Sequence, residues 1–344
     1  MKLKPLIYFV LLCLAIPLQG QTSFRVMFYN LENLFDTEND SLKNDDEFTP
    51  EGVRHWNNHR YYTKLSHLAK VITALGEWET PALIGLCEVE NNRTIEDLIA
   101  HSPLRKMQYR YVMTESEDAR GIDVALLYQR DQFKYLEHES IRIDFPYNRD
   151  KKTRDILHIT GKVISGDTLD VFVCHFPSRR GGKVQSARDR IQAAATLKSR
   201  VDSLMNFRSK ANVLIMGDFN DEPNDKSMAQ ILDAQSPTKT TDPRQLYNLI
   251  LEISKINETG SYKFQDQWNF IDQILVSGNL LNRKNAFHVL PETATIFWKD
   301  FMVTLDKKYG GIRPKKTFHG YKYEQGYSDH FPVYVDFIEL KVEN

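Results

Sequence analysis

The chain alternates short apolar runs with longer stretches in which apolar positions recur every three or four residues. The runs at 24–30 (FRVMFYN), 82–91 (ALIGLCEVEN), 122–129, 169–176, 213–220 (VLIMGDFN), 268–277 and 328–340 predict β-strands. Residues 60–76 set Leu65, Leu68, Ala69, Ile72 and Leu75 at helical spacing, with Gly76 able to end the helix. Residues 183–205 predict a long amphipathic helix with a basic exposed side, and a further helix is expected after Pro223. Residues 36–48 (DTENDSLKNDDEF) read as a solvated acidic surface loop. Strands and helices interleave without a linker-like stretch or a fixed repeat, so a single α/β domain over residues 22–342 is the simplest account.

Several of these buried runs end abruptly on an oxygen- or nitrogen-bearing side chain. Asn30 follows VMFY, Glu88 follows IGLC and His175 follows VFVC. Asp218 and Asn220 follow LIMG, Asp272 sits within FIDQILV, and Asp329 and His330 precede FPVYV. One such residue is usually a surface end or a cap. Six segments doing the same predicts that strands open onto a common rim and that their polar groups surround one cleft. Along 213–220, Gly217 is expected to let the backbone turn, Asp218 and Asn220 to share a face, and Phe219 to point into packing. Asp221 and Glu222 read as loop acids.

The residue types narrow the chemistry. Asn, Asp and Glu oxygens are hard ligands suited to Mg²⁺, with Mn²⁺ or Ca²⁺ as alternatives. HExxH and paired-Cys spacings are missing, as are GxSxG, GxxxxGK[ST] and GxGxxG, which leaves structural zinc, serine hydrolase and nucleotide-cradling motifs unsupported. A hard cation with imidazoles suits hydrolysis of a phosphate ester by an activated water.

Composition changes this picture little, except at the N-terminus. Of the 344 residues 41% are hydrophobic, enough for a substantial core. Two lysines, an apolar run from Leu6 to Leu18 and a small-polar end read as a signal peptide cleaved after Gly20, implying a secreted or periplasmic protein without stable membrane insertion; a retained anchor is the alternative. Cys13 lies inside that run and does not read as a lipid-anchor cysteine. Removing Lys2 and Lys4 takes the net charge from −1 to −3, so any polyanion site must be a local patch. Cys87 and Cys174 read as small buried hydrophobes, a disulfide being the alternative. His288 and His319 read as structural or exposed.

In their order along the chain, NLENLFD, LIGLCEVEN, ARGIDVALLY, HFPSRRGG, MGDFNDEP, FIDQILVS and GYSDHFPV resemble the signature blocks of the endonuclease/exonuclease/phosphatase superfamily, the DNase I-like hydrolases. RGIDVALLY and TFHGYKYEQGYSDHFPVY resemble its secreted bacterial branch. The resemblance implies a four-layer α/β/β/α sandwich, with two mixed sheets face to face and helices outside. It makes Glu88 the main metal-binding residue, helped by Asn30 and Asp329. His330 becomes the catalytic histidine oriented by Asp272, Asp218 positions or activates water, Asn220 steadies it or the phosphate, and His175 donates to a phosphoryl oxygen. Arg120, Arg179, Arg180 and Lys315 are candidate substrate contacts, the last three from two basic patches. The leading expectation is a monomeric, secreted, metal-dependent nuclease acting on nucleic-acid phosphodiesters. The alternatives are a phosphatase or phosphodiesterase acting on a sugar phosphate, inositol phosphate or lipid headgroup, and an inactive polyanion-binding module.

Overall fold

The computed structural model describes residues 21–237 and 241–340, so the expected signal peptide and Cys13 lie outside the described residues. In chain order the strands are β1 (Gln21–Leu34), β2 (Leu83–Val89), β3 (Arg110–Met113), β4 (Asp123–Tyr128), β5 (Phe133–Ile141), β6 (Ile156–Val163), β7 (Thr168–His175), β8 (Val213–Asp218), β9 (Leu246–Asn248), β10 (Tyr262–Phe264), β11 (Gln267–Asn269), β12 (Asp272–Ser277), β13 (Phe287–Ile296), β14 (Val303–Leu305), β15 (Ile312–Pro314), β16 (Phe318–His319), β17 (Lys322–Tyr323) and β18 (Val333–Leu340). The helices are α1 (Asn58–Gly76), α2 (Asn92–Ala100), α3 (Ala187–Phe207) and the single turn α4 (Ile253–Ile256).

Two six-stranded sheets form the body, in the orders β13-β18-β1-β2-β4-β3 and β5-β6-β7-β8-β12-β9. Both are mixed: β1 runs parallel to β2 and β7 parallel to β8, while β18 and β12 run antiparallel to their neighbours. The sheets pack face to face, β2 against β8, β4 against β7, and β1 and β18 against β12. Period-two alternation shows why both faces of the second sheet are apolar. Val171, Val173, Leu214, Met216, Ile274 and Val276 point between the sheets. Phe172, Cys174, Val213, Ile215 and Leu275 point outward under Ala193, Ala194, Leu197 and Val201 of α3. With α1 covering the first sheet through Leu65, Leu68, Ala69 and Ile72, this is the expected four-layer sandwich. Each fully buried Leu, Ile, Val or Phe in these layers contributes roughly 1.5–3 kcal/mol.

The main runs became strands, and the helix expected at 60–76 spans α1, capped by Asn57 accepting from the Arg60 N–H. Five strands of the two main sheets (β3, β5, β6, β9 and β13), the short strands β10 and β14 to β17, and the helices α2 and α4 were not anticipated. β5 (FKYLEHESI) is an exposed, charged edge strand without an apolar run. β13 is interrupted by Pro291 and shifts register between Leu290 and Thr295. The helix expected after Pro223 is one turn, Ser227–Ile231. Cys87 and Cys174 are both buried free thiols.

Gly217 has a different reason from the turn expected of it. It lies inside β8, and a Cβ there would stand 2.5 Å from the Cys174 carbonyl oxygen and 2.8 Å from the Cys174 Cβ on the parallel neighbour β7. The glycine permits close approach of two strands just before their functional ends. Gly217→Ala is expected to destabilise the domain by about 1–3 kcal/mol through overpacking, read as a lowered midpoint in urea denaturation. An unchanged midpoint would show that the strands separate freely.

Candidate active site

Strand direction gathers the site. The C-terminal ends of the parallel pairs β1/β2 and β7/β8 carry Asn30, Glu88, His175 and Asp218. Because β12 and β18 run the opposite way, their beginnings reach the same end of the sandwich, bringing Asp272 and the preceding Asp329-His330. Asp218 is in register with His175 on one side and Asp272 on the other.

The side chains meet closely. Nδ1 of His330 lies 2.7 Å from Oδ2 of Asp272, which turns Nε2 toward Asp218 Oδ2 at 3.9 Å and Asp329 Oδ1 at 4.0 Å. Nε2 of His175 lies 3.7 Å from Asp218 Oδ2 and 3.9 Å from Glu88 Oε1. Asn30 Nδ2 donates to Asp218 Oδ2 at 3.1 Å, while Asn30 Oδ1 accepts from the Glu32 N–H at 2.9 Å. The Asn220 N–H donates to Asp218 Oδ1 at 2.9 Å, and its side-chain amide donates to the Phe176 carbonyl at 3.1 Å. Phe219 is buried against Phe176, as expected.

Local backbone geometry aims these groups. Glu88 has φ 61° at a register shift between β2 and β4, and Asn220 has φ 52° just beyond β8. Glu32 and Asn33, with φ 51° and 53°, kink the end of β1 so that the Asn33 N–H donates to Glu88 Oε2 at 2.8 Å. Left-handed conformations cost non-glycine residues energy, and bulges of this kind re-aim side chains at functional rims. Beneath the kink, the buried Lys64 Nζ donates to the Glu32 carbonyl at 2.7 Å and to Thr317 Oγ1 at 2.5 Å.

The groups perturb one another strongly. Burial, then repulsion from Asp272, pushes Asp218 up to about 7, against the opposing pull of His330. Burial would lower His330, but the carboxylates of Asp272, Asp218 and Asp329 outweigh it and hold the imidazole well above its usual range. Burial raises Asp329, with Glu88 adding to the rise. His175 is held well below its ordinary value by burial, then by Arg154, Arg120 and His330. The result is one imidazole kept charged among carboxylates and a second kept neutral.

This donor set fits a hard divalent ion. Carboxylates on four segments repel one another around a common space, and one oxygen of Asp272 is buried without a hydrogen-bond donor. Glu88 and Asp329, partly open to the cleft at 14% and 28% side-chain exposure, offer oxygens for an ion, and Asn30 Oδ1 adds a neutral one. The ligand atoms of Asp218, Asp272 and His330 also lie within 4.8 Å of one another.

The proposed substrate contacts are less uniform. Arg120 is partly exposed with Nε 3.7 Å from Asp118, near enough to His175 to lower it. Arg179 is engaged by the protein: Nε donates to the Asn220 carbonyl and Nη1 to Asn269 Oδ1, each at 2.6 Å. Arg180 is exposed. Lys315 acts on His67, whereas Lys316 is the lysine whose charge reaches Asp329. Asp221 serves packing by accepting from Ser227 and pairing with the buried Arg190.

Three contributors were missed by sequence reasoning. Arg154 is buried and bridges the Asp118 carboxylate and the Phe176 carbonyl. Ser328 Oγ ties the Asn30 carbonyl to the His330 N–H. Tyr262 lies against the His330 ring at a centroid distance of 4.7 Å. Arg154 was masked as the last base of the run Arg149, Lys151, Lys152 and Arg154 before an unread strand, and the other two were marked by nothing local.

A carboxyl whose pKa is higher in the folded chain holds its proton more tightly there. Asp218 therefore makes the metal-free protein less stable as pH rises from the usual aspartate range, near about 3.9, to about 7, above which its effect levels off. His330, raised in the folded state, adds stability that is constant below its ordinary pKa of about 6.5 and is lost above it, so the Asp218 effect is read below that pH. In chelator, Asp218→Asn is expected to reduce the loss of urea stability across that range. Identical pH slopes for the two proteins would remove Asp218 as its source.

The described residues contain no helix long and apolar enough to cross a membrane. The chain matches no curated protein by sequence. Its fold is shared with an endonuclease/exonuclease/phosphatase family protein from Bacteroides thetaiotaomicron at 16% identity and TM-score 0.58, covering 92% of this chain and 98% of that one. The human Nocturnin catalytic domain with bound sulfate aligns at 17% identity and TM-score 0.55, over 92% and 93% of the two chains. The mannosyl-6-phosphatase Bt3783 of Bacteroides thetaiotaomicron aligns at 18% identity and TM-score 0.55, over 91% and 99%. The sequence profile of the Endonuclease/Exonuclease/phosphatase family matches residues 25–339, nearly the whole described domain, and the chain accordingly belongs to that family of metal-dependent phosphoester hydrolases.

Proposed function

We propose that the protein hydrolyses a phosphoester with an activated water, assisted by Mg²⁺ held by Glu88, Asp329 and Asn30. The observation that carries this reading is the arrangement of Asp272, His330, Asp218 and His175 around one space, with a charged and a neutral imidazole on either side of Asp218. The ion, when bound, draws charge from the phosphoryl oxygens. Asp218 orients the attacking water, with Asn30 and Asn220 fixing the carboxylate. Asp272 fixes the His330 ring so that Nε2 faces the reacting phosphate and moves a proton there. The neutral His175 donates from Nε2 to a phosphoryl oxygen.

Few free cations flank this space. Lys183 pairs with Asp225 at 2.6 Å, Arg190 with Asp221 at 2.6 Å and Arg313 with Glu324 at 2.7 Å, and Arg179 is engaged as described. Among the described residues, Arg180, Lys315 and Lys316 lack an ion pair. This supports a substrate gripped through a small number of phosphates. A nucleic-acid phosphodiester is one such substrate, favoured by the aromatic flank of Tyr262 and the Trp268–Phe331–Trp298 stack beside His330. A phosphorylated sugar, an inositol or a lipid headgroup is the second, favoured by the mature charge. Export from the cytoplasm, membership of a secreted bacterial branch and a monomeric state complete the proposal. Export rests on residues 1–20, outside the described residues.

With Mg²⁺, one of plasmid DNA, RNA, phosphorylated inositols, mannose 6-phosphate or sphingomyelin is expected to be cleaved in a chelator-sensitive way, and no turnover on any would defeat the proposal. On DNA, the dependence of log K on log salt is expected to be shallow, since each phosphate contact contributes about −0.9 to the slope. On the active substrate, His330→Ala is expected to lower kcat by about 10²–10⁴-fold. Glu88→Ala is expected to raise the metal concentration needed for half-maximal rate. Wild-type turnover, or an unmoved metal midpoint, would remove the respective assignment.

A further inference from the structure

The segment 260–262 is fastened to both members of the His330–Asp272 pair. Tyr262 pairs with Asn269 in the hairpin of β10 and β11 and also forms an antiparallel bridge with His330. The Phe331 N–H donates to the Ser261 carbonyl at 2.7 Å, and the Asp272 N–H donates to Ser261 Oγ at 3.2 Å. A Cβ at Gly260 would stand 2.3 Å from the Asn269 carbonyl oxygen, so the glycine permits this close approach. Alternation along β10 sends Tyr262 one way and Lys263 the other. Lys263 Nζ donates to Asp306 Oδ2 at 3.2 Å and to the Gly310 carbonyl at 2.7 Å, whereas the Tyr262 ring lies against His330 with centroids 4.7 Å apart.

The Tyr262 hydroxyl is unused by the protein. Among the described residues it makes no hydrogen bond, although the side chain is largely covered. Its surroundings show where it points: Asp329, Asp218 and Glu88 all bear on it, with Arg179 opposing them. Burial first, and then those acids, raise the phenol above its ordinary range, so the oxygen keeps its proton. Across the rim the order is His175, Asp218 and Asp272, then His330 bonded to Asp272 and Tyr262 against His330. A phosphoryl group held at Asp218 and His330 therefore has His175 on one side and Tyr262 on the other.

We propose that the Tyr262 hydroxyl donates a hydrogen bond to a phosphoryl oxygen of the substrate, which makes Tyr262 a catalytic residue. This contact rests on the hydrolytic reading proposed above and adds to it a second neutral donor. The hydroxyl keeps its proton, and no covalent bond forms or breaks at its oxygen. A protonated phenol is a weak ligand for a hard cation beside carboxylates, so the substrate oxygen and not the ion is its partner. A donor already aimed at developing charge in a covered site needs no reorganisation when the reaction proceeds. The bridge between Tyr262 and His330 supplies that aim, because it holds donor and imidazole at a fixed spacing.

The test is orthophosphate binding by calorimetry on the magnesium-loaded protein, with turnover and thermal melting alongside, in wild type and Tyr262→Phe. The variant keeps the ring against His330 and removes only the hydroxyl. It is expected to bind orthophosphate about 10–100-fold more weakly, the loss of one hydrogen bond to a charged group. Its kcat/KM on the active substrate is expected to fall at least as far, with the magnesium midpoint and Tm unmoved. Weakened orthophosphate binding without turnover of any substrate in either protein would support the contact while defeating the hydrolytic reading. Equal orthophosphate affinity in the two proteins would overturn the proposal whatever the turnover, as would a wild type that binds no orthophosphate. A raised magnesium midpoint that accounts for the whole loss would overturn it too, by showing that the hydroxyl acts on Asp329. A lowered Tm in Tyr262→Phe would do the same, by showing that the protein itself satisfies the hydroxyl.

Discussion

Asp218 and Asp272 stand opposite each other on neighbouring antiparallel strands, both buried, and two carboxylates so placed repel. His330 answers that repulsion: bonded to Asp272 and facing Asp218, it carries the positive charge that both require. The ring arrives from the other sheet, on the segment leading into β18, so this contact joins the two halves of the sandwich at its functional end. Removing one member of a buried charged cluster leaves the others uncompensated, which couples the order of this rim to the packing of the sheets. Burial gives the groups their altered proton affinities, and the same burial requires their company.

The sheets supply the precision. Gly217 lets β8 lie close against β7, so His175 and Asp218 emerge side by side in register. Below them both strands are sealed on two faces, by the opposite sheet and by α3. Irregular backbone is confined to the last residues. Glu32, Asn33 and Glu88 take left-handed conformations in the last residues of β1 and β2, and Asn220 just beyond β8. A rigid foundation thereby holds strained residues whose side chains and N–H groups face the cleft.

Much of this was legible because both signals are local. Apolar runs announce buried strands, and a polar residue closing such a run announces a rim; Asn30, Glu88, His175, Asp218, Asp272 and His330 were all marked this way and all meet. What was hidden depends on partners distant in sequence. Arg179 looks like a free phosphate contact until Asn220 and Asn269 are seen to engage it. Arg154 looks ordinary until the Phe176 carbonyl is placed beside it. The edge strand β5 and the Pro-interrupted β13 gave no periodic signal because neither needs a continuous apolar run. The acidic stretch is largely exposed, as its composition suggests, and within it the burial of Asp36, Asp45 and Phe48 depends on the fold around it.

The four residues from Glu88 to Asn91 show how densely this end of the fold is used. Glu88 turns toward His175 and the cleft through its left-handed backbone, while Val89 remains in the core. Glu90 turns to the acidic loop, and Asn91 caps α2 in a reciprocal bond pair with Thr94 while also holding Asp36. Glu88 is therefore positioned by a helix cap and a charged loop within three residues of it. A disturbance of that loop has a short path to the cleft, because no flexible segment lies between the Asp36–Glu90 contact and Glu88. The electrostatics act in the same direction: Glu88 raises Asp329 across the cleft, so a shift in Glu88 alters the charge balance that His330 answers. Loop, strand end and imidazole are thus linked by contact and by charge.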